Sequence, residues 1–249
     1  MLAVRDLGKI FHITTGSPVV ALDSISLSAK AGDCVCLLGA NGSGKTTLLK
    51  ILAGLILPDS GRALIAGQDI LTKPSETREK VGFSPAEHNS FYGQLDGYEN
   101  LLFFAALRGL DAKTLKNRLA ILEQPLGLSE ALRTPYQKAS SGMKRRLSIA
   151  RSLLHDPVVL LLDEPTQSLD PDSAGRLGTL IRDEFLRRER RLVLWSTQHP
   201  HEAWEIGTRI VILNAGKIMA HGTPADILRD AGASSPGEAY RFWSNRIPA

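Results

Sequence analysis

Residues 39–50, GANGSGKTTLLK, place three glycines, a lysine and two threonines between an apolar run and an amphipathic stretch. They fit the pattern G-x-x-x-x-G-K-[ST], with Gly39, Gly44, Lys45 and Thr46 at its fixed positions. Glycine lets the backbone approach a ligand closely and turn successive N–H groups toward an anion. The helix that follows adds its positive end, the lysine reaches the outer phosphates, and the Thr46 hydroxyl can ligate Mg²⁺. The segment therefore predicts a loop that binds a triphosphate.

The whole loop from residue 39 to residue 47 is expected to contact the nucleotide. An ordinary structural turn is the alternative, but such a turn does not require several flexible glycines directly before a lysine. A buried strand before the loop and a helix after it are the context in which this pattern binds phosphate. The candidate phosphate-binding residues are Gly39, Ala40, Asn41, Gly42, Ser43, Gly44, Lys45, Thr46 and Thr47.

The second stretch that could carry chemistry is VVLLLDEP at residues 158–165, in which two acids follow an apolar run. Asp163 closes an apolar run, so it is expected at the carboxyl edge of a sheet, where ligands of open α/β sheets bind. There Asp163 would ligate Mg²⁺ directly or through a water molecule. Glu164 is placed to orient and polarise the attacking water. The alternative is that these acids only end a strand and begin a turn.

Strands that alternate with helices position these residues, which predicts an α/β fold with a mostly parallel sheet covered on both faces. Residues 45–55 carry leucines on one face of a predicted helix. The first 38 residues indicate short strands, with residues 25–28 alternating between apolar and polar, and residues 62–66 form a candidate edge strand. The predicted buried strands cover residues 34–38, 158–162, 192–197 and 210–213.

Residues 89–155 differ from the rest of the chain, because they favour helices over strands. Two predicted helices cover residues 98–108 and 113–122, and glycines follow each of them. This stretch is interpreted as a helical insert. The chain after residue 224 is predicted to hold one short helix and a polar end.

The bulk composition is that of a globular protein with a sizeable core. The chain has 249 residues, of which 43% are hydrophobic and 22% charged, and its formal net charge is +4. That charge is too small to argue for nucleic acid as a partner. Cys34 and Cys36 would point to one face of a strand, which favours free thiols in a reducing compartment. Neither a signal peptide nor an apolar run long enough to span a membrane is evident, so a cytoplasmic location is expected.

Taken together and in this order, GANGSGKTT, KASSGMKRRLSIARSLLHDPVVLLLDEP and QSLDP resemble the ATP-binding subunits of ABC transporters. The resemblance covers about residues 2–225, and residues 226–249 are assigned as a C-terminal tail. It implies a phosphate-loop NTPase core with a mostly parallel sheet, an N-terminal antiparallel β subdomain and a helical insert subdomain at about residues 89–155. It also implies ATP and Mg²⁺ as cofactors.

The resemblance implies roles for residues outside the phosphate loop. Residues 139–143, ASSGM, are similar to the family signature, which is usually Leu-Ser-Gly-Gly-Gln; they depart from it at three of five positions and keep Ser140 and Gly142. In the family, the signature of one subunit faces the phosphate loop of a second, so that two chains close head-to-tail over two ATP molecules. Ser168–Asp170 resembles the loop that crosses this interface. Phe11 stands where the family stacks an aromatic ring on adenine, although a core position is the alternative.

Two positions depart from the family pattern. Ala86 stands where a glutamine is usual, and the neighbouring Glu87 is a candidate replacement ligand. Gln198 occupies the position of the switch histidine when the segment is aligned on Glu202. A glutamine can hydrogen-bond a γ-phosphate but cannot carry the charge of an imidazolium. His199 could serve in that role only with a one-residue shift.

The expected function is that of an ATPase subunit driving a separate membrane permease, with export favoured over import. The chain would then lie on the inner face of the cell membrane, held by the permease and paired with a second ATP-binding subunit. One alternative is an ATPase of the same family acting on ribosomes or DNA. Another is a nucleotide-binding regulatory module with low turnover.

Overall fold

The computed structural model describes residues 1–12, 17–87, 90–187 and 191–246. The strands are β1 Leu2–Phe11, β2 Val19–Ala29, β3 Cys34–Leu38, β4 Ser60–Ile65, β5 Gln68–Asp69, β6 Val81–Ser84, β7 Val159–Asp163, β8 Leu192–Thr197, β9 Arg209–Asn214 and β10 Lys217–Gly222. The helices are α1 Lys45–Leu52, α2 Pro74–Lys80, α3 Gly97–Leu107, α4 Ala112–Leu126, α5 Ser141–Leu153, α6 Pro171–Thr179, α7 Pro200–Ile206, α8 Pro224–Ala231 and α9 Pro236–Ser244. Two 3₁₀ turns lie at Ala131–Arg133 and Tyr136–Lys138, and a π-helical segment, Leu180–Phe185, continues α6.

The main sheet has six strands in the order β10-β9-β3-β8-β7-β6. The pairs from β9 to β6 are parallel, and β10 is antiparallel at one edge. Every residue of β3, β7 and β8 is buried, which explains why these strands read as continuous apolar runs. The predicted parallel sheet is confirmed, and the carboxyl ends of β3, β7 and β8 meet at one edge.

The second sheet is antiparallel, with the order β2-β1-β4-β5. It confirms the predicted antiparallel unit near the N-terminus and differs from the prediction in two details. The strands β1 and β2 have ten and eleven residues and are therefore not short. The strand β4 is also not at the edge, because the two-residue strand β5 pairs with its outer side.

The helical insert contains α3, α4 and α5. The α3 helix begins at a capping box between Asp96 and Glu99. The α4 helix extends beyond the predicted residue 122 to Leu126, because Leu126 continues its buried face, and it ends at Gly127 with φ 59°. In contrast, α1 ends at Leu52, three residues earlier than predicted, and Gly54 follows with φ 70°. The helical insert packs against one face of the main sheet. Helix α1 and the antiparallel sheet pack against the opposite face.

The C-terminal segment holds two helices, so the prediction of one helix and a polar end was wrong. Thr223 and Asp226 form a capping box for α8, and Gly232 ends that helix with φ 59°. Ser235 then caps α9, whose Ala239 is fully buried. Helix α9 packs against α7 and β9. Across the described residues, none of the helices combines the length and the apolar character that crossing a bilayer requires.

Candidate nucleotide site

The loop between β3 and α1 has a backbone that only glycine fits at two points. Gly44, directly before α1, has φ 106°, and a Cβ there would lie 2.6 Å from the Ala21 carbonyl oxygen. A Cβ on Gly39 would lie 2.5 Å from the Leu213 carbonyl oxygen. Because these contacts exclude any side chain, the two glycines let the loop pass close to β2 and β9 before α1 begins.

Lys45 is buried at the start of α1, and its ammonium faces the loop. Its Nζ donates to the carbonyl oxygens of Gly39 at 2.7 Å and Ala40 at 3.1 Å. It also lies 3.5 Å from Glu164 Oε1. The hydroxyl of Ser43 is buried and has no hydrogen-bond partner among the described residues. A buried ammonium and an unpaired buried hydroxyl beside a helix N-terminus are suited to an anion.

Asp163 ends β7 opposite the start of α1, as the sequence predicts. Its Oδ2 accepts a hydrogen bond from Thr46 Oγ1 at 2.8 Å, and its Oδ1 accepts one from Ser196 Oγ at 2.6 Å. Hydroxyl and carboxylate oxygens are ligands that Mg²⁺ prefers, and this ion usually takes one or two protein oxygens together with phosphates and waters. Over the described part of the chain, no cluster of three or more His, Cys, Asp or Glu side chains forms a dedicated metal cage. The residues present therefore fit a magnesium ion that is shared with phosphate.

Glu164 follows in a left-handed backbone conformation, with φ 48°. Its amide donates to Ser196 Oγ at 2.9 Å, so one serine contacts both acids. Partial burial raises the pKa of the Glu164 carboxyl, and the Lys45 ammonium opposes that rise. The carboxylate thus lies beside the lysine of the phosphate loop, in an environment different from that of Asp163.

One open cleft brings together the phosphate loop, Glu164 and residues from four other segments, namely β1, β2 and the segments that follow β6 and β8. Phe11 lies on its rim with 38% of its surface exposed, so it is not a core residue. The Lys9 ammonium lies 5.5 Å from the centre of its ring. The cleft is lined by Phe11, Val19, Ala21, Asn41, Gly42, Ser43, Gly44, Lys45, Thr46, Thr47, Ala86, Glu164, Gln167 and Gln198.

The segment after β8 places Gln198 in this cleft, and His199 is the N-cap residue directly before α7. His199 is not among the residues that line the cleft, and its backbone N–H donates to Thr197 Oγ1 at 3.0 Å. On α7, Glu202 accepts hydrogen bonds from Thr166 Oγ1 at 2.6 Å and Trp195 Nε1 at 3.0 Å. Of the two candidates for the switch position, Gln198 is the one that lines the cleft.

A second cavity is lined by Thr46 and Asp163. Ala86 and Glu87 both line it. Ala86 has no group that could ligate a metal, whereas Glu87 brings a carboxylate to the same cavity as Thr46 and Asp163. The candidate replacement ligand therefore lines the same cavity as the two candidate metal ligands.

Ser140 and Gly142 lie elsewhere, at the start of α5. The Ser140 hydroxyl accepts a hydrogen bond from the Met143 amide at 3.2 Å and so caps the helix. A Cβ on Gly142 would lie 3.2 Å from the Ser168 carbonyl oxygen, so this glycine packs against the segment Ser168–Asp170. Neither residue lines the cleft of its own phosphate loop.

Three residues near the acids escaped the sequence reasoning: Ser196, Glu202 and Gln167. Ser196 links Asp163 to Glu164, and Glu202 anchors the segment that carries Gln198. The position of Ser196, next to last in a buried strand beside β7, was the available signal. Buried polar residues at a strand's carboxyl end indicate a site in parallel sheets.

Comparison with known proteins gives consistent results. Residues 22–167 match the family profile described as ABC transporter. The chain is 31% identical over 222 residues to the ABC transporter ATP-binding protein NatA of Bacillus subtilis (strain 168), which covers 89% of each protein. It is 35% identical over 214 residues to the doxorubicin resistance ATP-binding protein DrrA of Mycobacterium tuberculosis (strain ATCC 25618 / H37Rv), covering 86% of this chain and 64% of DrrA.

A solved structure of the ATP binding subunit of an ABC transporter superposes on this chain with a TM-score of 0.85 at 28% identity. The match covers 98% of this chain and 100% of that one. Three further relatives, 35% to 36% identical, are much longer proteins, and the chain spans only 9% to 13% of their length.

Proposed function

We propose that this chain, which belongs to the ABC transporter family, binds Mg·ATP on the loop at residues 39–47 and hydrolyses it to drive a membrane permease. One observation carries the proposal. Thr46 lies 2.8 Å from Asp163, and Lys45 lies 3.5 Å from Glu164, so the phosphate-binding and acidic groups meet at one sheet edge.

Each residue has a defined task in this mechanism. The loop amides and the Lys45 ammonium hold the β- and γ-phosphates, and the Thr46 hydroxyl and Asp163 carboxylate hold the metal. Bound Mg²⁺ supplies charge neutralisation on the phosphate oxygens. Glu164 orients the attacking water and accepts its proton, and its raised pKa favours this transfer. Gln198 donates a hydrogen bond to the γ-phosphate, and Phe11 stacks on the adenine.

Two chains close head-to-tail in the proposed cycle. Ser140 and Gly142 of one copy complete the nucleotide site of the other, since neither lines the cleft of its own chain. Ser168–Asp170 crosses the interface. ATP binding closes the pair and hydrolysis reopens it.

The permease docks on a groove between the helical insert and the core, on the inner face of the membrane. Leu55 and Leu107 line this groove and are 62% and 68% exposed. Arg78, Arg108 and Arg151 line it as well, and no acidic side chain of the described residues does so. Apolar side chains together with a carboxylate on the permease would complement this surface. The similarity to DrrA supports export.

Two substitutions test the nucleotide chemistry. Lys45→Ala should weaken Mg·ATP binding at least about tenfold, since it removes a charged hydrogen-bond donor. Glu164→Gln should bind ATP as the unsubstituted chain does, lose nearly all turnover and accumulate a dimer. Fluorescent-nucleotide titration and phosphate release measure these effects, with the exposed Lys30→Ala as the control. Undiminished affinity in Lys45→Ala, or full turnover in Glu164→Gln, would contradict the proposal.

The partner is tested by comparing two kinds of binding. Tagged protein carrying Glu164→Gln, with Mg·ATP, should co-purify an integral membrane protein from detergent-solubilised membranes of the source cells. Co-sedimentation with ribosomes or retention on DNA would support the ribosome or DNA alternative. Nucleotide binding with a turnover no higher than that of Glu164→Gln would support the regulatory module.

A further inference from the structure

Arg145, on the second turn of α5, is a fully buried arginine. Its side chain donates to three backbone carbonyl oxygens. Nε donates to the Pro165 oxygen at 3.0 Å, Nη2 to the Asp163 oxygen and Nη1 to the Pro85 oxygen. The guanidinium is therefore satisfied by the main chain of two separate segments.

The three acceptor carbonyls belong to residues that adjoin Glu164 or Ala86. Asp163 and Pro165 lie immediately before and after Glu164, and Pro85 immediately precedes Ala86. The guanidinium thus holds the backbone on both sides of the acid and also the segment next to the metal side of the cleft. Glu164 itself has φ 48°, a conformation that a residue with a side chain adopts only when its surroundings impose it.

Arg145 is a buried cation that is held by main-chain oxygens. Among the described residues, no ion pair involves Arg145, and an apolar residue at this position would leave the three carbonyl oxygens without these hydrogen bonds. Burial lowers the pKa of Arg145 to about 10, while Asp163, Glu164 and Glu202 favour the charged form. The side chain is still a cation at neutral pH, and each of its three guanidinium nitrogens donates a hydrogen bond.

We propose that Arg145 is a positioning residue that fixes the placement of the Glu164 carboxylate and couples it to α5 and to the segment at Ala86. This inference rests on the proposed role of Glu164 in ATP hydrolysis. Helix α5 begins next to Ser140, the residue that reaches the second copy in the proposed pair. If α5 shifts when the two copies close, the rigid planar guanidinium of Arg145 would therefore transmit that shift to Glu164 of the same chain.

The first test separates turnover from binding. Arg145→Gln should lower kcat about 10- to 100-fold, because a small displacement of a catalytic group costs that much. KM and Mg·ATP affinity should change less than about threefold, because Arg145 does not touch the nucleotide. Arg145→Lys should restore part of the lost rate, since one ammonium cannot span all three carbonyls. Lys144→Gln, whose ammonium lies over the Tyr136 ring, is the matched control and should keep kcat.

The second test does not depend on turnover, in case Arg145→Gln folds poorly. In Arg145→Lys with ADP bound, hydrogen exchange should speed up in the segments at residues 84–87 and 163–167 and stay unchanged in α1. Faster exchange across the whole chain, or an unaltered kcat in both variants, would overturn the inference.

Failure of the inference can be told apart from failure of the proposed function. If Glu164→Gln abolishes turnover and Arg145→Gln does not, only the role of Arg145 is wrong. If Glu164→Gln turns over normally, the assignment of Glu164 itself is wrong.

Discussion

At the scale of single residues, the two neighbouring acids differ because their surroundings differ. Asp163 is 1% exposed and accepts hydrogen bonds from two hydroxyls, those of Thr46 and Ser196. The pKa of Glu164 is raised by burial, and the Glu164 carboxylate lies 3.5 Å from the Lys45 ammonium. Adjacent carboxylates in unlike environments can perform unlike tasks. Holding a metal suits the first acid, and accepting a proton suits the second.

The switch position gives the residue-scale prediction. Gln198 lines the cleft and His199 does not, so Gln198→His should keep the hydrolysis rate or raise it by up to about tenfold, because an imidazole adds a titratable donor at the γ-phosphate. His199→Ala, the neighbouring control, should leave the rate within about twofold of the unsubstituted chain. Steady-state phosphate release measures both. The shifted register would be correct if His199→Ala lost activity while Gln198→His had no effect.

Much of the site was predictable from local sequence, and the remainder was not. Lys45, Asp163 and Glu164 belong to short contiguous motifs whose chemistry follows from residue type and spacing. Ser196 and Arg145 contact the same acids from 33 and 18 residues away. The strand order brings Ser196 to Asp163, and the packing of α5 brings Arg145 to it; neither long-range contact is part of a contiguous motif.

At the scale of elements, the site follows from three parallel strands whose carboxyl ends coincide. Continuous apolar runs predicted β3, β7 and β8 because strands buried on both faces have no polar alternation. The α9 helix was missed because Pro236 and Gly237, its first residues, are typical of loops. Proline is nevertheless favoured in the first helical turn, and Ser235 supplies the cap. The helix is also held by tertiary contacts, since the Trp243 indole donates to the Ile227 carbonyl.

The groove between helical insert and core gives the element-scale prediction. Burial lowers the pKa of Arg108, the adjacent Arg78 lowers it further and Glu79 opposes the shift, so a partner carboxylate would add to the stabilisation of the charged form. Arg108→Glu should therefore reduce co-purification of the permease at least about tenfold, since charge reversal opposes an acidic partner. Quantitative pull-down from solubilised membranes measures the loss.

The matched control for this prediction is Arg133→Glu, an equal charge change at an exposed position outside the groove. It should leave co-purification unchanged. ATP hydrolysis by the isolated chain should also be unchanged in both variants, because neither residue lines the nucleotide cleft. Equal losses of binding in the two variants would indicate that the groove does not select its partner by charge.

At the scale of the whole molecule, the proposed nucleotide site needs residues from a second copy of the chain. The phosphate loop opens into a cleft that Ser140 and Gly142 of the same chain do not line. Those residues instead begin α5, whose positive end would face an anion supplied by another molecule. In two copies related by a two-fold axis, the α5 helix of each copy would face the nucleotide bound to the other copy.

A substitution at Ser140 tests this pairing without removing the helix cap. Asp caps helices as well as Ser does, so Ser140→Asp should preserve the fold while placing a carboxylate where the second copy's triphosphate would lie. In the Glu164→Gln background with Mg·ATP, it should abolish the dimer that light scattering detects. Binding of ATP to the monomer should persist, because the residue lies outside that chain's own cleft.

Ser140→Asn is the matched control, because Asn also caps helices and has nearly the size of Asp without its charge. It should retain far more dimer than Ser140→Asp, and the difference between the two variants measures the electrostatic effect alone. High salt should narrow that difference if the opposed charges are partly exposed to solvent. If Ser140→Asp dimerised as fully as Ser140→Asn, the start of α5 would not face the phosphates of a second copy, and the head-to-tail pair would be wrong.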